Sequence, residues 1–228
     1  MRPLVKICGL TNYEDAALAL GFGADIIGFV LAPSPRRTEP ALVADMVRRL
    51  RDAGLLEGKS TVAVFVNEEA GRMGDIVAGS ELSYAQIHGD EVPAACADFT
   101  FPWYRALRHS EASDAERLAG RDGRSWSCSR LLFDAAIPGA YGGTGTRIGS
   151  EAALAARQLT RAGGKEFFLA GGIGPGNVAA LVREFQPDGI DIGSGVEEAP
   201  GKKSRTALRD LFMCIDRMSD EERQSGSA

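Results

Sequence analysis

Eight short apolar runs punctuate the chain, and a segment with helical spacing follows each of them. The runs are Leu4–Cys8, Asp25–Leu31, Thr61–Val66, Tyr84–His88, Trp103–Leu107, Arg130–Asp134, Phe167–Ala170 and Gly189–Ile192. They are dense in Ile, Val, Leu and Phe, the pattern of strands buried on both faces of a parallel sheet. A strand regularly followed by a helix implies βαβ units. Eight units in succession predict a (β/α)8 TIM barrel, and 228 residues lie at the small end for that fold. The competing arrangement is a doubly wound open sheet. That fold usually carries G-x-G-x-x-G straight after its first strand, whereas this chain reads CGLTN from Cys8.

A single domain is expected over residues 1–218, with the polar stretch 219–228 as a frayed tail. Residues 109–129 are polar and loosely patterned, so a helix at Ser113–Leu118 is expected to be short. The balance of 26 basic and 31 acidic side chains leaves a net charge of −5, which argues against a nucleic-acid partner. No apolar run is long enough for a bilayer span, so no membrane partner is expected. The opening MRPLVKICGL has no apolar stretch of a secretory signal. Cys8, Cys96, Cys128 and Cys214 form no C-x-x-C pair, which fits a reducing, cytoplasmic location. His88 and His109 are too few and too far apart for a His-rich metal site, and a monomer or homodimer is expected.

In a barrel of this kind, chemistry gathers at the C-terminal ends of the strands. Two glycine-rich turns stand there, LAGGIGPGN at 169–177 and DIGSGVE at 191–197. Gly171, Gly172, Gly193, Ser194 and Gly195 let backbone N–H groups approach an anion closely, so the turns suit a phosphate; ordinary tight βα turns are the plainer reading. Lys6 and Cys8 share one face of the first strand, because side chains alternate with a period of two. A strand-end cysteine serves as base or nucleophile if its thiolate is stabilised, and otherwise as a small buried apolar group. Asp134 ends the run RLLFD, where a carboxylate is costly unless hydrogen-bonded or functional. In SPRR at 34–37, Arg36 or Arg37 offers a fork for a carboxylate. His88 and Asp191, at further strand ends, complete the residues read with Lys6 as substrate contacts.

These blocks together resemble the phosphoribosylanthranilate isomerase family. The resemblance rests on KICGLTNYEDA (6–16), ADIIGFVLAPSPR (24–36), VAVFVNE (62–68), AQIHGDE (85–91), LLFDA (131–135), YGGTG (141–145), LAGGIGPGNV (169–178) and GIDIGSGVEEAPGKK (189–203), in that order. It implies a (β/α)8 barrel that performs an Amadori rearrangement on a phosphorylated aminosugar, without metal or organic cofactor. It further implies Cys8 as general base, Asp134 as general acid, the SPR arginine on the anthranilate carboxylate and the last two glycine turns on the phosphate. Arg36 matches the SPR position, and Arg37 stays open because loop lengths vary there. The expected chemistry needs the Asp134 carboxyl raised and the Cys8 thiol lowered in pKa. Three positions depart from the family pattern: Thr146-Arg147-Ile148-Gly149 after GGTG, Gly193 where a hydroxyl is usual, and Ser204 where Asp is usual.

Overall fold

The structure is a computed structural model, and it describes residues 2–108, 126–134 and 150–225. Its barrel strands are β1 (Leu4–Cys8), β2 (Ile26–Val30), β3 (Ser60–Phe65), β4 (Tyr84–Ile87), β5 (Trp103–Arg108), β6 (Arg130–Asp134), β7 (Glu166–Ala170) and β8 (Gly189–Ile192). They close into one barrel in sequence order, every pair parallel, with β8 returning to β1. This is the (β/α)8 fold that the alternation predicts. The described helices are α1 (Tyr13–Phe22), α2 (Pro40–Asp52), α3 (Ala70–Gly79), α4 (Pro93–Cys96), α5 (Ser150–Ala162), α6 (Val178–Phe185) and α7 (Arg205–Ser225). The expected short helix at Ser113–Leu118, His109 and the divergent stretch 146–149 lie outside the described residues.

Local chemistry sets several boundaries. Asn12 caps α1 by accepting from the Asp15 amide at 2.8 Å, and Gly23 ends it in the left-handed conformation that glycine takes without strain. Pro40 opens α2, where its missing N–H costs nothing. α7 runs to Ser225, past residue 219 where the sequence reading places a frayed tail. Leu208, Leu211, Phe212, Ile215 and Met218 are buried along it, and Glu221 pairs with Arg183 of α6 at 2.6 Å. Among the described residues no helix is long and apolar enough to cross a membrane.

The barrel interior is polar through its middle. Near the base, the Arg130 guanidinium lies 4.1 Å from the centre of the Phe168 ring, and a Cβ at Gly189 would overlap that ring. Glycine at the start of β8 therefore makes room for Phe168. One layer up, the fully buried Lys6 ammonium donates to Asp191 Oδ2 at 2.6 Å and to Gln86 Oε1 at 2.8 Å. Tyr104 donates its hydroxyl to the same Gln86 oxygen at 2.8 Å. A buried charge is tolerated when it is paired and hydrogen-bonded, and this cluster meets that condition. It forms the floor on which the rim is built.

Candidate active site

A cavity of about 370 Å³ opens at the C-terminal ends of the strands. Each side has a distinct chemistry. Cys8 reaches it from the end of β1 and Asp134 from the end of β6, so the thiol and the carboxyl share one space. His88, the residue after β4, and Asp191 of β8 also line it. The turns after β7 and β8 bring Gly171, Gly172, Gly193, Ser194 and Gly195 to one flank, and Arg36 closes another. Val30, Ala32, Val64 and Val66 supply an apolar wall suited to a ring.

The glycine flank has a steric reason. Gly171 and Gly172 both have positive φ, at 101° and 63°. A Cβ on Gly195 would collide with the carbonyl oxygen of Ile173, so the two turns pack backbone on backbone. Asn177 ties the first turn by accepting from the Gly174 amide at 2.8 Å and donating to the Gly172 carbonyl at 2.9 Å. After β8 the chain enters a short 3-10 turn at Ser194–Val196.

Two buried polar atoms at the site have no hydrogen-bond partner among the described residues: His88 Nε2 and Asp191 Oδ1. His88 Nε2 stands 3.9 Å from Asp134 Oδ2, beyond hydrogen-bond reach. Burial, reinforced by Arg108 and Arg105, pulls the His88 pKa from 6.5 down to about 4, so the ring is neutral at physiological pH. A neutral imidazole and a carboxylate oxygen without partners can each take a hydrogen bond from or to a bound molecule.

Three expectations change on contact with the geometry. Lys6 does not face the cavity: its side chain is wholly buried and spends its bonds on Asp191 and Gln86. Burial opposes its charge, but Asp191, Cys8 and Tyr104 outweigh burial and hold the ammonium above the ordinary lysine range. The ammonium sits as a cation beneath Cys8. Arg37 turns outward to Glu39 at 3.2 Å, with both side chains exposed, whereas Arg36 lines the cavity. Finally, burial pushes the Cys8 thiol up rather than down. Lys6 and Lys203 pull it the other way without overcoming burial, and Asp191 adds to the rise. The chain passes from Asp134 directly into residues 135–149, outside those described.

Sequence reasoning missed the supports. Lys203, buried, donates to the carbonyls of Cys8 at 2.7 Å and Gly193 at 3.0 Å and to Glu197 Oε1 at 2.9 Å. Arg105 donates to Glu91 at 2.7 Å and to the Gly89 carbonyl at 2.6 Å, while Glu91 accepts from the amides of Asn67 and Gly89. That pair fixes the loops after β3 and β4. Gln86, two residues before His88, was open to the period-two argument that placed Lys6 beneath Cys8.

Comparison with known proteins agrees with this geometry. A family model described as N-(5'phosphoribosyl)anthranilate (PRA) isomerase matches residues 5–213. An N-(5'-phosphoribosyl)anthranilate isomerase of Magnetococcus marinus is 39% identical over 217 residues, covering 95% of this chain and 96% of that protein. The crystal structure of phosphoribosyl anthranilate isomerase from Thermotoga maritima superposes with a TM-score of 0.80 at 30% identity, over 94% of this chain and 99% of that one. A structure of such an isomerase in complex with reduced 1-(o-carboxyphenylamino)-1-deoxyribulose 5-phosphate superposes with a TM-score of 0.76 at 28% identity, over 94% and 99%.

Proposed function

This chain belongs to the N-(5'phosphoribosyl)anthranilate isomerase family, and on that premise we propose that its cavity rearranges N-(5-phosphoribosyl)anthranilate to 1-(2-carboxyphenylamino)-1-deoxyribulose 5-phosphate, a step of tryptophan biosynthesis. The observation that carries the reading is the shared cavity: Cys8 and Asp134 line one space, with a glycine cradle on one flank and Arg36 on another. The phosphate sits on the turns of Gly171, Gly172, Gly193, Ser194 and Gly195. The anthranilate carboxylate meets Arg36, and the aromatic ring lies along the Val30, Val64 and Val66 wall. Holding both ends fixes the sugar between the two proton-transfer groups, so remote binding energy orients the reacting carbons.

Asp134 donates its proton to the furanose ring oxygen as the C1′–O bond breaks, leaving a Schiff base. The Cys8 thiolate then removes the C2′ proton, and the electron pair shifts to give an enolamine that tautomerises to the ketone. The ketone forms as the C2′ hydroxyl proton passes to the Asp134 carboxylate and the Cys8 thiol returns a proton to C1′, so both groups regain their starting states. Each proton-transfer group contributes about 10²–10⁴-fold in rate. His88 and Asp191 bond the sugar hydroxyls through their open Nε2 and Oδ1 atoms, and Lys6 offsets the negative charge that forms on Cys8. We read the chain as a single barrel domain acting as a monomer or homodimer. Growth of a tryptophan auxotroph lacking this isomerase tests the reading: rescue by the wild type but not by Cys8→Ala is expected, and failure of the expressed wild type to rescue contradicts it.

A further inference from the structure

Glu197 stands outside the cavity yet grips Arg36, which lines it. We propose that Glu197 is a positioning residue that presets the Arg36 guanidinium for the substrate carboxylate, an inference that rests on the isomerase reading above. The Glu197 carboxylate accepts from Arg36 Nε at 2.8 and 3.0 Å and from Arg36 Nη2 at 2.7 Å. It also accepts from Lys203 Nζ at 2.9 Å and from the Gly201 amide at 3.4 Å. Its side chain is 5% exposed and that of Lys203 0%, against 26% for Arg36. Arg36 lines the cavity, and neither Glu197 nor Lys203 does.

The chemistry of the guanidinium gives this contact a direction. Arginine has five N–H donors in a rigid fork. Glu197 takes Nε–H and one hydrogen of Nη2, which is the side edge. The end edge, formed by Nη1 and the other hydrogen of Nη2, is left for a second carboxylate in bidentate geometry. A charge count points the same way. Arg36 and Lys203 bring two positive charges and Glu197 brings one negative, so the cluster keeps one net positive charge to meet one carboxylate. The arginine stem is confined as well: Gly9, at φ 77°, leaves space where a Cβ would come within 2.6 Å of Arg36 Cδ.

Lys203 ties this clamp to the rest of the site. Its ammonium bonds the carbonyl of Cys8, which carries the base, and that of Gly193, in the phosphate turn. The carboxylate fork, the base and the phosphate cradle therefore share one buried anchor. This assigns a task to the SGVE-x-x-PG-x-K segment at 194–203, whose charged residues have no direct place in the chemistry.

A double-mutant cycle on KM tests the proposal, using Glu197→Gln, Arg36→Ala and the double variant. Glu197→Gln is expected to raise KM about tenfold and to leave kcat within about threefold, because a lost binding interaction acts on KM. In the Arg36→Ala background the same change should alter KM by less than about twofold, the mark of two residues acting as one unit. The reduced product analogue, titrated by calorimetry, should show the same pattern without turnover. Glu197→Asp keeps the charge beside Lys203 on a shorter arm and carries the same cycle if the Gln variant does not fold. Equal KM effects in both backgrounds, a lowered KM in Glu197→Gln, or loss of kcat with KM unchanged would overturn the inference alone. No turnover by the folded wild type would overturn the isomerase reading together with it.

Discussion

At Cys8 two electrostatic effects oppose each other. Burial penalises the thiolate, while Lys6 below and Lys203 behind favour it, and burial prevails. The free protein therefore holds a thiol well into the alkaline range, whereas the base in the proposed reaction is the thiolate. Below the thiol pKa the thiolate fraction rises about tenfold per pH unit, so the rate of Cys8 alkylation by iodoacetamide should climb with close to unit slope between about pH 7 and 9. His88 adds no inflection near neutrality, because its pKa lies at about 4. A profile of alkylation rate against pH, with Cys8→Ala as the background, checks both statements; a plateau from about pH 6 upward would show that the thiol is already ionised. Lys6→Met should move the ascending limb to higher pH. The same change leaves Asp191 buried without its cation, a loss of about 3–5 kcal/mol in stability, so the profile must be taken well below the variant's melting range.

At the scale of elements, the strand–helix alternation made the barrel legible, because a sheet buried on both faces leaves a nearly continuous apolar signature in each strand. The strand-end positions of Cys8, Asp134 and the glycine turns were legible for the same reason: once the strands are placed, their ends are placed. Charge pairing was not. Arg36 and Arg37 are neighbours in one loop, and only the fold shows Glu197 drawing the first inward and Glu39 holding the second at the surface. The inner face of β1 misled differently. Lys6 shares the face of Cys8, but one layer of the barrel separates a cavity wall from a buried floor. The packed turns after β7 and β8 make a sharp prediction. Gly195→Ala places a methyl against the Ile173 carbonyl, which is backbone and has nowhere to retreat. A stability cost of about 1–3 kcal/mol is expected from the overpacking, together with a raised KM as the phosphate cradle opens. Chemical denaturation and steady-state kinetics on one preparation would show both effects; unchanged KM would separate the turn from the phosphate.

Across the whole molecule, the barrel works as a frame that points groups from distant parts of the sequence at one cavity. Cys8 and Asp134 are brought together by closure of the sheet, since β8 pairs with β1 and leaves no open edge. The buried Lys6–Asp191 pair and the Lys203 anchor both bridge β1 to β8 or the turn that follows it, so barrel closure and the proposed catalytic site share one seam. The most direct test measures kcat on N-(5-phosphoribosyl)anthranilate for the wild type, Cys8→Ala and Asp134→Asn, with binding of the reduced product analogue measured in parallel. Each variant should lose about 10²–10⁴-fold in kcat while binding the analogue nearly as the wild type does. Wild-type turnover in either variant would contradict an acid and a base facing each other across the sugar.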